Sequence, residues 1–328
     1  MRRRQLIEIH DQRWCPDSLR DVVTDTLQFV WNLFGFYEPI VPRLRRALQE
    51  TGTCQVVDLC SGGGGPWLRL VRNVEDEDRL PVDVCLTDKF PNLKAFEHAK
   101  RSSHTRLAFH SDPVDATRVP SDLEGFRTLF NCFHHFPREE ARAILQDAVK
   151  VRQGIGIFEV PKRHWLTIFF VFFMPVMAVA LVPFIRPFRW SRLLWTFPVP
   201  VGPFVLWFDG VISCLRAHTP LELLELAHGV SQDGYHWEAG VEGKRRAVVA
   251  VTYLIGYPDS NTGRSNCSVV WSSRSISKSS VPPPPGGDFQ QLRGRRGNRI
   301  IRIYGAGDGN RIVSPIHKSC ALMALPLA

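Results

Sequence analysis

The eight cysteines of this 328-residue chain form no CxxC pair, and none stands at metal-ligand spacing from a histidine. That excludes a zinc ribbon or finger and predicts reduced, packing thiols in an intracellular protein; no metal ligand set is expected. An apolar run is missing after the basic start MRRRQLIEIHDQRW, so this is not a secretory signal. Outside the last seventy residues there is almost no excess of positive charge. From Asp259 to the end, ten Lys/Arg face three Asp/Glu, so +7 of the net +9 belongs to the tail. The remainder is close to neutral, and nucleic acid is not an expected partner. Charge is absent altogether from Trp165 to Ile185, WLTIFFVFFMPVMAVALVPFI.

What is present divides the chain into five parts. Residues 1–50 carry helical spacing from Ser18 to Glu50, read as two helices broken near Gly35 and Pro39. Residues 51–162 repeat short apolar runs that end in a polar or acidic residue and alternate with helix-like segments. QVVDL, VDVCLTD, RLAFHSDPVDA, FRTLFNCF and GIGIFEV are the five runs. Such alternation at about 25–30 residues predicts an α/β, Rossmann-like, doubly wound and mostly parallel sheet. Residues 163–216 interrupt it with an apolar helical insertion. Residues 217–258 resume it with one helix and two strands. Residues 259–328, rich in Ser, Pro, Gly and Arg, are expected to be disordered and of low complexity. Their GAGDGNR resembles translated non-coding sequence, and no function is assigned to them.

Four glycines follow the first run in VVDLCSGGGGPW. A turn of this kind between a strand and a helix lets a ligand approach the backbone and the free N–H groups of a helix start. Dinucleotide sites want G-x-G-x-x-G. Here an acid, Asp58, comes first, and Cys60-x-Gly62-x-Gly64 follows. The second run ends in Asp88 and the third in Asp115-Ala116, so three acids end three successive strands. Asn131 ends the fourth run, His134 and His135 follow within a turn, and Glu159 ends the fifth. Asp209 is an ionisable group inside the second apolar stretch, Leu193–Leu215, and is a site hypothesis for that reason.

This order resembles motif I of class I S-adenosylmethionine-dependent methyltransferases, with Cys60 in place of the first glycine. The likeness extends over RQLIEIHDQRWCPDSLRD, LTDKFPN, HSDPVDAT and FNCFHHFPREEARAIL, about residues 4–258. Over that span the chain resembles bacterial membrane-associated members with an apolar insertion before the last strands. The resemblance implies S-adenosylmethionine as cofactor, held by Asp58, Cys60, Gly62, Gly64, Asp88, Asp115, Ala116 and Asn131. His134, His135 and Asp209 are the candidate catalytic groups. A nicotinamide oxidoreductase and a non-catalytic membrane scaffold are the alternatives.

The insertion is long enough to span a bilayer if helical. A two-span hairpin would put Arg186, Arg189 and Arg192 on the outer side, against the positive-inside tendency. An interfacial or re-entrant hairpin with those arginines at lipid phosphates is therefore favoured, and a buried lid is the soluble alternative. Its place beside the acceptor pocket suggests a lipophilic acceptor, with the catalytic domain on the cytoplasmic face of a membrane. Oligomeric state and acceptor atom are not readable.

Overall fold

The computed structural model describes residues 1–78, 81–103, 106–230, 232–243 and 250–259. The expectation for the tail therefore falls outside the described residues, Asp259 excepted.

Among the described residues seven strands form one sheet: β1 (Gln55–Leu59), β2 (Asp83–Leu86), β3 (Leu107–Phe109), β4 (Phe126–Phe130), β5 (Ile155–Glu159), β6 (Tyr235–Glu242) and β7 (Val251–Pro258). Their order is β3-β2-β1-β4-β5-β7-β6. β1 to β5 are mutually parallel, and β7 runs antiparallel between β5 and β6. The doubly wound, mostly parallel sheet read from the alternating runs is the one observed. Helices cover both faces, which is why β1, β2, β4 and β5 read as nearly continuous apolar runs.

The two-residue side-chain period sorts each strand between two cores. Val56, Val84 and Phe126 join Leu44 and Leu48 of α2 (Val41–Thr51), Leu70 of α3 (Trp67–Asp78) and Phe96 of α4 (Leu93–Ser102). Val57, Cys85 and Leu129 point the other way, onto Ile144 and Leu145 of α5 (Arg138–Lys150) and Leu223 of α10 (Pro220–His228). Thr219 and Glu222 form a capping box at the start of α10, which ends the insertion and returns the chain to the sheet. At the amino end, α1 (Asp17–Phe34) stops at Gly35 in the left-handed conformation, φ 62°. The expected third strand is shorter than its sequence run. β3 stops at Phe109, and Asp115 lies beyond it in a loop.

The insertion forms α6 (Trp165–Val171), α7 (Met174–Leu181), a 3-10 turn (Val182–Phe184), α8 (Trp190–Thr196) and α9 (Val201–Arg216). Trp165–Phe184 is a 20-residue helical run of mean hydropathy 2.5 with only 11% of its most apolar window buried. The second apolar stretch is two helices bent by 73°, because Pro198 and Pro200 lie in the break. Ala178, Val205 and Leu206 pack onto Leu19 and Val23 of α1. Two of the three insertion arginines turn inward rather than toward a lipid headgroup. Arg189 pairs with Asp21 and bonds Asn92 at 2.7 Å, and Arg192, 2% exposed, pairs with Asp25. Only Arg186 of the three is exposed.

Candidate active site

The strand order reverses between β1 and β4, and in sheets of this kind a crevice opens there at the carboxyl ends. Both strands leave the sheet through a non-glycine residue in the left-handed region, Cys60 at φ 58° and Asn131 at φ 55°. Side chains adopt that conformation only where the surroundings enforce it, and such positions gather at ligand sites. Asn131 is held on both sides: its N–H donates to Phe158 O at 2.8 Å, and Val160 N–H donates to its Oδ1 at 3.3 Å.

The glycines of the turn have separable reasons. Gly62, Gly64 and Gly65 have φ of 54°, 109° and 58°. Gly63 has an ordinary φ, but an added Cβ would lie 2.9 Å from Thr24 O of α1. The backbone that comes closest to this glycine is thus the protein's own first helix. Asn32 completes the junction by donating to Gly65 O at 3.0 Å and accepting from Arg69 N at 3.0 Å.

A cavity of about 420 Å³ opens over this turn. Cys60, Gly62, Asp88 and Asn131 line it, together with Ser61 and Gly63. Asp88 accepts from Gly62 N at 2.7 Å and from Phe90 N at 2.8 Å, one bond to each oxygen. Burial raises its pKa from the ordinary aspartate value, against the backbone hydrogen bonds that lower it. Its further lone pairs are free to accept from a diol. Opposite, Val171, Met174 and Leu206 of the insertion and Leu27 of α1 make an apolar wall.

The other expected cofactor residues lie elsewhere. Asp58 is 1% exposed and does not line the cavity. Its carboxylate accepts from Ser61 Oγ at 2.6 Å and Thr128 Oγ1 at 2.7 Å, tying β1, the turn and β4 together. Burial pushes its pKa up to about 6 against those hydrogen bonds. Gly64 lies behind the turn, its Cβ direction facing Ala99. Asp115 accepts from Thr117 and from Lys89 Nζ at 2.9 Å, and neither it nor buried Ala116 lines the cavity.

The two histidines separate. His134 is fully buried, with Nδ1 bonded to Glu159, while Phe133 N donates to the same carboxylate at 2.7 Å. That pair locks the turn after β4 onto the end of β5. His135 lines the cavity, and its Nδ1 lies 2.8 Å from Asp11 Oδ2. Burial alone would lower its pKa; the Glu8 and Asp11 carboxylates outweigh that and hold it well above the ordinary value.

Asp209 also reaches the cavity, from the insertion. It accepts from Ile9 N at 2.7 Å, His10 N at 3.1 Å and His10 Nδ1 at 2.7 Å. Asp209, Ser213 and Arg216 share one face of α9, at i, i+4 and i+7. All three are buried, and Arg216 donates to the carbonyls of His134 and His135. α9 is therefore committed to the site on its polar side. The chain before α1, which turns over residues 9–15, supplies Glu8, His10 and Asp11. Sequence reasoning did not single out these three. The one signal available is the polar alternation in IEIHD, which has no meaning until the strap is placed.

No known protein-family profile matches the chain, and no curated protein matches it. Solved structures do. The CMeT domain of the citrinin polyketide synthase matches with 12% identity and a TM-score of 0.43 over 70% of this chain and 55% of its own. Human N-acetylserotonin methyltransferase in complex with S-adenosylmethionine matches with 13% identity and a TM-score of 0.41 over 73% and 56%. LepI in complex with the same molecule matches with 20% identity and a TM-score of 0.37 over 65% and 46%. The chain thus spans about half the length of these structures. By strand order and the reversed β7, its sheet is that of the Rossmann-like methyltransferase fold.

Proposed function

We propose that this chain is an S-adenosylmethionine-dependent methyltransferase that takes a lipophilic acceptor from the cytoplasmic face of a membrane. The observation that carries the reading is the composition of one cavity. Its sheet side presents a glycine turn and the Asp88 carboxylate, and its other side is an apolar wall contributed by the insertion.

S-adenosylmethionine supplies an electrophilic methyl on a sulfonium, open to in-line displacement. The residues present suit it. Asp88 offers carboxylate lone pairs to a ribose diol, and Ser61, Gly62 and Gly63 of the turn line the cavity beside it. Asn131 and Cys60 stand at the strand ends between the two halves of the cavity. The chain's contribution is then to hold donor and acceptor in a near-attack geometry and to exclude water. The apolar wall supplies the dry side. His10 and His135 line the cavity wall, each turned to a carboxylate, Asp209 and Asp11.

Membrane association rests on the outer face of the insertion. Trp165, Phe172, Phe184 and Trp190 are 69%, 55%, 67% and 77% exposed. Fully burying one such side chain contributes about 1.5–3 kcal/mol. Four of them, about two-thirds exposed, give about 4–8 kcal/mol, comparable to the reversible anchoring of one myristoyl chain. With α9 engaged at the site, an interfacial insertion is favoured over a two-span hairpin.

Isothermal calorimetry on the purified chain tests the cofactor, and transfer of labelled methyl into a total lipid extract tests the acceptor. Binding of NAD(P) in place of S-adenosylmethionine would redirect the reading to hydride transfer. Binding of neither would leave a scaffold.

A further inference from the structure

Four side chains from two distant stretches converge on the cavity wall: Glu8, His10 and Asp11 of the amino-terminal strap, and His135 after β4. One ligand atom of each lies within 4.8 Å of all the others. His10, Asp11 and His135 face the cavity, and Glu8 stands behind them.

Hydrogen bonding does not satisfy this group. His135 Nδ1 is 2.8 Å from Asp11 Oδ2 and 3.0 Å from Glu8 Oε2. One ring N–H cannot serve two carboxylates well, and Glu8 Oε2 accepts no hydrogen bond although the side chain is completely buried. Ser213 Oγ donates to the other Glu8 oxygen at 3.1 Å. Two carboxylates that share one imidazole N–H keep lone pairs that a cation can take.

The neighbouring groups orient the set. His10 Nδ1 faces Asp209 at 2.7 Å, and the Ile9 and His10 N–H groups fix that carboxylate. With Nδ1 turned to Asp209, Nε2 is the nitrogen that faces the group, 3.7 Å from Asp11 Oδ1. A carboxylate behind an imidazole is how metal-ligating histidines are commonly held. Arg216 Nη1 takes the outer side, 3.4 Å from Glu8 Oε1 and 3.2 Å from Asp11 Oδ2. Atoms bonded to one ion at about 2.0–2.2 Å lie about 3–3.6 Å apart. The four ligand atoms lie within 4.8 Å of one another, so the widest pairs must close by up to about 1 Å to meet that.

We propose that Glu8, His10, Asp11 and His135 form a binding site for a divalent transition-metal ion, with Asp209 as the positioning residue for His10. Two imidazoles with two carboxylates suit Zn²⁺, Fe²⁺ or Mn²⁺ better than Mg²⁺ or Ca²⁺. An ion here presents its open positions to the cavity, where it binds an oxygen-bearing ligand as a Lewis acid. That role rests on the methyl-transfer reading; the site itself does not.

The test is Co²⁺ titration of the full-length chain after treatment with a chelator, followed by visible absorption and metal analysis. One equivalent is expected to bind, displaced by Zn²⁺. His135→Gln and Asp11→Asn should each weaken Co²⁺ binding at least 100-fold, and Asp209→Asn about 10-fold. Circular dichroism checks that each variant is folded. A folded wild-type chain that binds no more Co²⁺ than the His10→Gln/His135→Gln double variant overturns the proposal, whatever the single variants do. S-adenosylmethionine calorimetry on the same samples separates the two readings: metal binding without cofactor binding retains the site and removes the methyl-transfer role.

Discussion

The carboxylate of Asp209, on a helix of the apolar insertion, holds His10 of the amino-terminal strap through Nδ1 at 2.7 Å and through its backbone N–H at 3.1 Å. Two segments about two hundred residues apart are thereby joined at the mouth of the cavity. An insertion that served only as a greasy anchor would not need a buried acid there.

Breaking this junction should be visible as lost stability. Asp209→Ala leaves the Ile9 and His10 N–H groups and the His10 ring without their acceptor, in a site 3% exposed. The expected loss is about 3–5 kcal/mol in chemical denaturation, with Asp209→Asn losing less because it still accepts. A midpoint within experimental error of wild type for Asp209→Ala would refute the junction.

The acid at the end of β2 should act on affinity. Asp88→Ala is expected to weaken S-adenosylmethionine binding about 10–100-fold, as for loss of hydrogen bonds to a charged group. Asp115→Ala should change it little, because Asp115 is turned to Lys89 and Thr117 outside the cavity. Equal effects from the two variants, measured by calorimetry, would contradict this placement.

Gly63 separates packing from ligand approach. A Cβ there would meet Thr24 O at 2.9 Å, so Gly63→Ala must push α1 away from the turn. The expected destabilisation is about 1–3 kcal/mol, present without any ligand. If urea melts of the apo variant match wild type while cofactor binding alone is lost, the glycine serves the ligand instead.

Asp58 sets a pH dependence of defined sign. Its folded pKa is about 6, above the 3.8 of the unfolded chain. Between those values the unfolded state is ionised and the folded state protonated, so folding takes up a proton and stability falls as pH rises. Two pKa units correspond to about 3 kcal/mol, present in full only below the unfolded value of 3.8 and lost by about pH 7. Asp58→Asn lacks this slope, so the stability difference between wild type and variant should shrink or reverse by about that amount. Parallel pH profiles in urea denaturation would show that Asp58 does not titrate in this window.

The exposed aromatics should govern membrane binding alone. Trp190 and Phe184 are 77% and 67% exposed, so charging either leaves the fold almost untouched, within about 0.5 kcal/mol. Trp190→Glu with Phe184→Glu should nonetheless abolish flotation with liposomes. Unchanged flotation of the double variant would place the membrane contact elsewhere or remove it.

The sheet was legible in the sequence because its signal is local. A parallel strand buried on both faces must be a short apolar run, and QVVDL, VDVCL, FRTLF and GIGIFE each became one. The acids at the strand ends were legible for the same reason, and so was the uncharged run from Trp165 to Ile185. Local sequence could not tell which acids turn outward. Asp58 and Asp88 both end strands, but the hydroxyls of Ser61 and Thr128 claim the first and leave the second on the cavity. Nor could it separate His134 from His135, adjacent in sequence, one locked on Glu159 and the other facing Asp11.

By itself the sequence determined the α/β class, the place of the glycine turn and the position of the insertion, since each follows from periodicity and composition over a few neighbouring residues. Only the tertiary structure decided that α1 packs against the glycines, that Arg189 and Arg192 turn inward, and that Glu8, His10 and Asp11 meet His135. The last two outcomes depend on which buried charges find partners across more than a hundred residues, and burial makes an unpaired charge too unfavourable to leave the choice open.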